Sequence, residues 1–207
     1  MIKTGITGGI GSGKSVVASL LAIEGIPVYN ADDESRRLSD TSPAIREKLM
    51  TLIDDAIYIN DRLDRPRLAS IIFNDEILLK QVNEIIHPVV RADFKDWMAK
   101  QITAYCALES AIIYESGFDK DLDVVLMVYA PVELRLTRAM KRDCVSEAEI
   151  IKRMNRQMPE ELKRNQADFV IVNDGIQPLI PQVERFAGLL TGSYGLQIRS
   201  NHLIHNT

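Results

Sequence analysis

Eight residues near the N-terminus carry the most specific chemistry. Gly8-Gly9-Ile10-Gly11-Ser12-Gly13-Lys14-Ser15 fits Gly-x-x-x-x-Gly-Lys-(Ser/Thr), the pattern of a phosphate-binding P-loop. Glycine backbones reach positive φ and let the chain approach an anion closely. Successive N–H groups then turn inward as a nest for phosphate oxygens, and a following helix adds its unpaired N–H groups and partial positive charge. Lys14 is spaced to reach the β/γ-phosphates of a nucleotide, and Ser15 to place its hydroxyl on Mg²⁺. Gly9, Ile10, Gly11, Ser12, Gly13, Lys14, Ser15 and Val16 are therefore candidate nucleotide-binding residues, with ATP and Mg²⁺ the implied ligands. The competing reading is a plain glycine turn ahead of a helix. The flanks favour the P-loop: Met1–Thr7 reads as a strand and Ser15–Glu24 as an amphipathic helix, the context the motif requires.

Asn30, Asp32 and Asp33 form a second cluster. They follow Ile26-Pro27-Val28-Tyr29, which reads as a second strand. Ligands of a parallel α/β sheet sit at the carboxyl ends of its strands, so these residues emerge on the rim that holds the P-loop. Asp32 and Asp33 are equally suited to cap the next helix. A third group is cationic: Arg135, Arg138, Lys141, Arg142, Lys152, Arg153, Arg156, Lys163 and Arg164. Such a run is either a solvated helix surface or a lid of arginines that closes over phosphates.

The elements that must position these groups follow from periodicity. Residues 33–100 read as mostly helical, with an irregular or hairpin-like connection over Ile57–Leu63 and a long helix over Asp75–Ala99, bent or interrupted at His87-Pro88. This stretch falls between the second and third strands and reads as an inserted, substrate-side subdomain. Tyr105–Tyr114 is the third strand, Leu122–Tyr129 the fourth and Ala167–Asn173 the fifth. Ser146…Glu149 is a capping box opening a lid helix, and a final helix runs over Pro178–Leu190. The tail from Thr191 has no clear period.

The chain of 207 residues suits one compact domain with inserted parts. Its net charge of −4 gives no electrostatic support to nucleic-acid or membrane-surface binding. Cys106 and Cys144 have no metal or redox spacing, which fits free thiols in a reducing, cytoplasmic setting. The N-terminus reads as a strand carrying the P-loop, not as a signal peptide, and no apolar run approaches membrane-spanning length. Oligomeric state is left open.

The absence of an Asn-Lys-x-Asp motif weighs against a switch GTPase, and Glu109 is the nearest equivalent of a Walker-B acid. The chain resembles the dephospho-coenzyme A kinases from Ile2 to about Gly175. The resemblance rests on Gly5–Ser15, Asn30-Ala31-Asp32, Phe73 and Ile86-His87-Pro88. It continues through Glu109–Glu115, Arg138…Arg142-Asp143, Arg153…Gln157-Met158, and Ala167-Asp168-Phe169 leading to Asn173. Asn30 stands where the family has Asp, Glu109 where it has Asp, and Ala111-Ile112-Ile113 where it has Pro-Leu-Leu. The resemblance implies an α/β P-loop nucleoside triphosphate hydrolase fold. Its five-stranded parallel sheet would run in the order 2-3-1-4-5, with helices on both faces. Within one domain spanning 1–207, the core would be 1–32, 101–137 and 167–207, the acceptor-binding insert 33–100, and the lid 138–166. It also implies phosphorylation of the ribose 3′-hydroxyl of dephospho-coenzyme A by ATP. Asp32 would be the base, Lys14 and Arg142 would take up charge, and His87 would bind the acceptor. A kinase for another nucleoside or nucleotide, or a non-catalytic nucleotide-dependent binding protein, would use the same loop.

Overall fold

The structure is a computed structural model that describes residues 1–73 and 75–192. The tail's lack of a period therefore concerns residues that lie, from 193 on, outside the described ones. The chain divides into two compact units, Met1–Asn30 with the chain from Gln101 onward, and Ala31–Lys100. Elements are numbered along the whole chain.

The first unit opens with β1 (Ile2–Thr7), α1 (Lys14–Ile23) and β2 (Val28–Asn30). After the second unit it continues with β5 (Tyr105–Glu109), β6 (Val124–Tyr129) and α6 (Val132–Asp143). Next come α7 (Glu147–Met154), α8 (Glu160–Gln166), β7 (Phe169–Val172) and α9 (Leu179–Thr191). The five strands form one sheet in the order β2-β5-β1-β6-β7, every pair parallel. Counted within this sheet alone, that is the expected order 2-3-1-4-5 with the P-loop strand central.

Side chains alternate between the two faces of each strand, and both faces are buried. On one face Ile6, Ala107, Leu126, Val128 and Ile171 pack with Val17 and Leu21 of α1 and with Val183 and Phe186 of α9. The other face carries Gly5, Leu108, Val125 and Met127, with the last three buried. A Cβ at Gly5 would meet Ile113 Cδ1 at 2.8 Å and Leu122 Cδ1 at 2.6 Å, so the chain after β5 packs directly on this face. β6 (VVLMVY) is apolar throughout, as a parallel strand covered on both faces must be.

The third strand is shorter than its apolar run. Ile6 and Asn30, the residues that flank Glu109 in the ladder, lie at or next to the ends of β1 and β2. Beyond Glu109, the Ile112 N–H turns back to Ser110 Oγ and the Ser116 hydroxyl donates to the Ile112 carbonyl. Ala111–Tyr114 is thus a turn whose apolar residues, Ile113 above all, fill the core without a ladder.

The second unit contains α2 (Ala31–Thr41), α3 (Pro43–Leu52), β3 (Tyr58–Ile59), β4 (Arg62–Leu63), α4 (Arg65–Ile72) and α5 (Glu76–Ala99). Leu38, Ile45, Leu49, Ile57, Leu68, Val82, Val90 and Phe94 are buried among these elements. Helix starts follow their capping residues: the side chains of Ser42, Asp64 and Asp75 accept the N–H groups of Ile45, Arg67 and Leu78. β3 and β4 form a two-residue hairpin in which Asn60 and Asp61 both take positive φ, the conformation that a tight hairpin turn demands.

Two local expectations change. Asp32 and Asp33 do not precede α2; they lie inside its first turn, where negative charge is stabilised by the helix dipole. α5 runs unbroken through His87 and Pro88. Proline removes one N–H bond, but Val82, Ile86, Val90 and Phe94 form a buried stripe at four-residue spacing that anchors the helix on both sides of it.

Candidate functional site

The site begins where β1 hands over to α1. Gly8, Gly11 and Gly13 have φ of 147°, 79° and 94°, so side-chain-bearing residues are excluded by backbone strain as well as by space. A Cβ would strike the Val128 carbonyl at Gly8, the Arg135 carbonyl at Gly11 and the Asn173 amide at Gly13. The Ser12 N–H closes the turn onto the Gly9 carbonyl at 3.1 Å, and α1 starts at Lys14. Within its first turn the Val16 N–H bonds the Gly13 carbonyl at 3.1 Å, which sets the N-terminus of α1 at the mouth of the glycine cradle. The Ser12 hydroxyl is buried and has no partner among the described residues. An orphaned donor in a glycine cradle at a helix N-terminus suits a phosphate group.

Neighbouring elements hold this loop. Asn173, just after β7, donates from Nδ2 to the Ser12 carbonyl at 2.8 Å and accepts from Arg138 through its own carbonyl at 3.1 Å. The Gly9 N–H donates to Glu160 Oε1 at 2.8 Å and the Ile10 N–H to Gln157 Oε1 at 3.1 Å. Arg135 Nη1 lies 3.3 Å from Glu160 Oε1, with both side chains largely buried. Burial pushes the Glu160 carboxyl above its ordinary value, while Arg135 and the Gly9 N–H pull it back.

Glu109 ends β5 between Ile6 and Asn30 and is 6 % exposed. Ser15 Oγ donates to its Oε1 at 2.8 Å. A serine hydroxyl beside a buried carboxylate is an all-oxygen donor set of the kind Mg²⁺ takes, usually with one or two protein ligands and the nucleotide completing its shell. The residues present therefore fit both a nucleotide phosphate and a magnesium ion.

The remaining candidates are placed as follows. Val16, in the first turn of α1, is exposed, and Lys14 is half-buried. Arg142 lies at the end of α6, its Nε 2.7 Å from Asp143 Oδ1. Asp143 is shared with Arg153 at 2.9 Å, and the bond from Arg142 holds its carboxyl below the usual value. Asp32 is exposed in the first turn of α2, and His87 lies half-buried in α5; both belong to the second unit. Burial, aided by Arg91, lowers the His87 pKa and favours neutral imidazole. Sequence reasoning missed Glu160 as a loop ligand. Its only signal was a carboxylate at the first position of a short helix, where helix-dipole stabilisation is the ordinary explanation.

Comparison with known proteins agrees with this geometry. A family model described as dephospho-CoA kinase matches residues 2–178. A dephospho-CoA kinase of Bacteroides fragilis is 46% identical over 183 residues, covering 88% of this chain and 89% of that protein. One from Porphyromonas gingivalis is 46% identical over 186 residues, covering 89% and 92%. A crystal structure from Thermus thermophilus superposes with a TM-score of 0.80 at 35% identity, covering 93% of this chain and 97% of the other. The dephospho-CoA kinase from Campylobacter jejuni superposes at 0.66 with 26% identity, covering 92% and 98%. A shikimate kinase from Acinetobacter baumannii, 18% identical with a TM-score of 0.54, shares the fold. With a family match across most of its length and two relatives at nearly half identity, the chain belongs to the dephospho-CoA kinase family.

Proposed function

We propose that this chain transfers the γ-phosphoryl group of ATP to the ribose 3′-hydroxyl of dephospho-coenzyme A, releasing coenzyme A and ADP. The observation that carries the reading is the family match over residues 2–178, which includes the whole P-loop. Transfer passes through a loose transition state, so the protein's work is positioning and charge compensation. The cradle from Gly9 to Val16 binds the phosphates, and Lys14 places its ammonium on the β/γ-phosphates. Ser15 and Glu109 would hold Mg²⁺, which when bound neutralises phosphate charge. Asp32 orients the acceptor hydroxyl and takes its proton. His87 binds the acceptor through its imidazole.

Arg142 meets the charge that develops on the transferring group. Its pair with Asp143 is exposed on the arginine side, with 65% of that side chain accessible. Exposed pairs contribute about 0–1 kcal/mol, so exchanging Asp143 for a phosphate costs little. The segment 138–166 is in this reading a lid that keeps water from the γ-phosphate. A cytoplasmic setting fits the unbridged cysteines, Cys106 and Cys144. No helix among the described residues is long and apolar enough to cross a membrane.

The test is coupled ADP release with a panel of acceptors: dephospho-coenzyme A, nucleosides and nucleoside monophosphates. Stimulation by dephospho-coenzyme A alone is expected. Turnover with a nucleoside monophosphate instead would assign another acceptor, and tight ADP binding without stimulated turnover would sink the kinase reading.

A further inference from the structure

Most of what touches the P-loop is backbone or small polar groups, but one contact is a buried carboxylate. Glu160 opens α8, and its Oε1 receives both the Gly9 N–H and the Arg135 guanidinium. Gln157, three residues earlier, receives the next N–H of the loop, that of Ile10. The base of α8 is fixed independently: Lys163 is fully buried, donating to the Ala111 carbonyl at 2.6 Å and pairing with Glu115 at 2.8 Å. Residues 157–163 thus brace the opening turn of the P-loop against the turn after β5.

Two observations indicate that this brace is not there for stability alone. Arg135 Nε and Glu160 Oε2 are buried without a hydrogen-bond partner among the described residues. A buried pair left partly unsatisfied is a weak source of folding free energy. The pair also lies directly against the backbone of the loop. Gly9 does not share the positive φ of its glycine neighbours, yet a Cβ there would overlap Arg135 Nη1 and Glu160 Oε1. A side chain at position 9 would push aside the ends of both groups, so glycine there lets the ion pair press against its Cα.

We propose that Glu160 is a positioning residue of the nucleotide site: it clamps the Gly9 peptide so that the later amides of the loop meet the phosphates already ordered. Gly8 and Gly9 are the most freely rotating adjacent residues of the loop, and without an acceptor for the Gly9 N–H that freedom is lost only when the nucleotide binds. Arg135 holds the carboxylate in place, and Gln157 fixes the next peptide. The inference rests on the kinase reading only for its turnover arm.

The test combines ADP binding by calorimetry, which needs no acceptor, with steady-state kinetics and thermal unfolding. Removing the clamp leaves one more peptide to be ordered by the nucleotide. In Glu160→Ala the ADP Kd and the ATP KM should therefore rise about tenfold. The kcat and the KM for dephospho-coenzyme A should stay within about threefold of wild type. Glu160→Gln keeps an acceptor for the Gly9 N–H and should bind ADP within about threefold of wild type. If Glu160→Ala does not fold, Gln157→Ala should show the same direction with a smaller rise. A folded Glu160→Ala with unchanged ADP affinity, or only a lower melting temperature, would reduce Glu160 to a packing residue. Tighter ADP binding would mean that the carboxylate competes with phosphate, and would also overturn the proposal. A wild-type protein that binds ADP but shows no acceptor-stimulated turnover would defeat the kinase reading and leave the binding result standing.

Discussion

Lys163→Met isolates the energetics of the brace beneath the P-loop. Lys163 has no accessible side-chain surface, and its ammonium lies 2.6 Å from the Ala111 carbonyl and 2.8 Å from Glu115 Oε1. The same carboxylate oxygen accepts the Met158 N–H at 2.7 Å. Methionine keeps the length and apolar stem but removes the charge. Folding then no longer bears the cost of desolvating the ammonium, but Glu115 loses its counter-charge and the Ala111 carbonyl its donor. Removing one partner of a buried pair costs about 3–5 kcal/mol. Glu115 retains 22% side-chain exposure, so water offsets part of the loss. The lower end, about 3 kcal/mol, is therefore the expected value. In a chain of this size each kcal/mol moves the melting temperature by roughly 2–4 °C, giving a fall of about 6–12 °C. Thermal unfolding by circular dichroism measures this, with urea midpoints at constant m-value as the check. The double variant Lys163→Met with Glu115→Gln leaves no uncompensated charge and should recover at least about 1 kcal/mol of the loss. A single variant within about 1 °C of wild type, or strict additivity in the double, would refute the buried-pair account.

Three further outcomes test the site. Asp32→Asn removes the proton acceptor at constant size, and kcat should fall about 10²–10⁴-fold. Asp33→Asn is the control, removing a charge that pairs with Arg36 at the surface; near-normal turnover in Asp32→Asn with Asp33→Asn inactive would identify the wrong carboxylate. Glu109→Gln keeps an acceptor for Ser15 but removes the carboxylate charge that would hold Mg²⁺, so kcat should fall about 100-fold or more; a lower melting temperature with near-normal kcat would make Glu109 structural. His87 has a folded pKa below its unfolded value, so the unfolded chain binds more protons between the two. Its contribution to stability is present above about pH 6.5 and is lost as pH falls through the folded pKa. His87→Gln should flatten the fall of urea midpoints as pH drops below about 6.5, and an unchanged slope would place the acid sensitivity elsewhere.

Where local rules decide the backbone, the sequence was readable. The P-loop was legible because its glycines, Lys14 and Ser15 are contiguous, and three of the glycines sit at positive φ. The helix start at Ser146 was readable from capping chemistry, down to the reciprocal bonds between Ser146 and Glu149. β6 was readable because burial on both faces leaves an apolar run. The third strand was overextended for the same reason: Ala111, Ile112 and Ile113 are apolar, but a strand continues only where its neighbours offer a ladder. β1 and β2 stop beside Glu109. Of the bend or interruption expected at Pro88, the interruption does not occur, because a local penalty of about 3 kcal/mol competes with a buried stripe from Val82 to Phe94.

What the sequence hid about the site is long-range pairing. Gly9 and Glu160 are separated by 151 positions, Ile10 and Gln157 by 147, and Ser12 and Asn173 by 161. No spacing rule reaches that far. The cationic run shows the consequence. Read along the chain, Arg135, Arg138, Arg142 and Lys163 belong to one cationic run. In the structure they have four different fates. Arg135 is buried against Glu160, Arg138 is tied to Asn173, Arg142 is exposed beside Asp143, and Lys163 is sealed inside the brace. A cation already committed to a buried carboxylate cannot leave it for a phosphate without stranding that carboxylate, whereas an exposed pair exchanges at a cost of about 1 kcal/mol or less. On this ground we propose Arg142 as the phosphate-seeking charge of the run, while Arg135 and Lys163 pack beneath the P-loop.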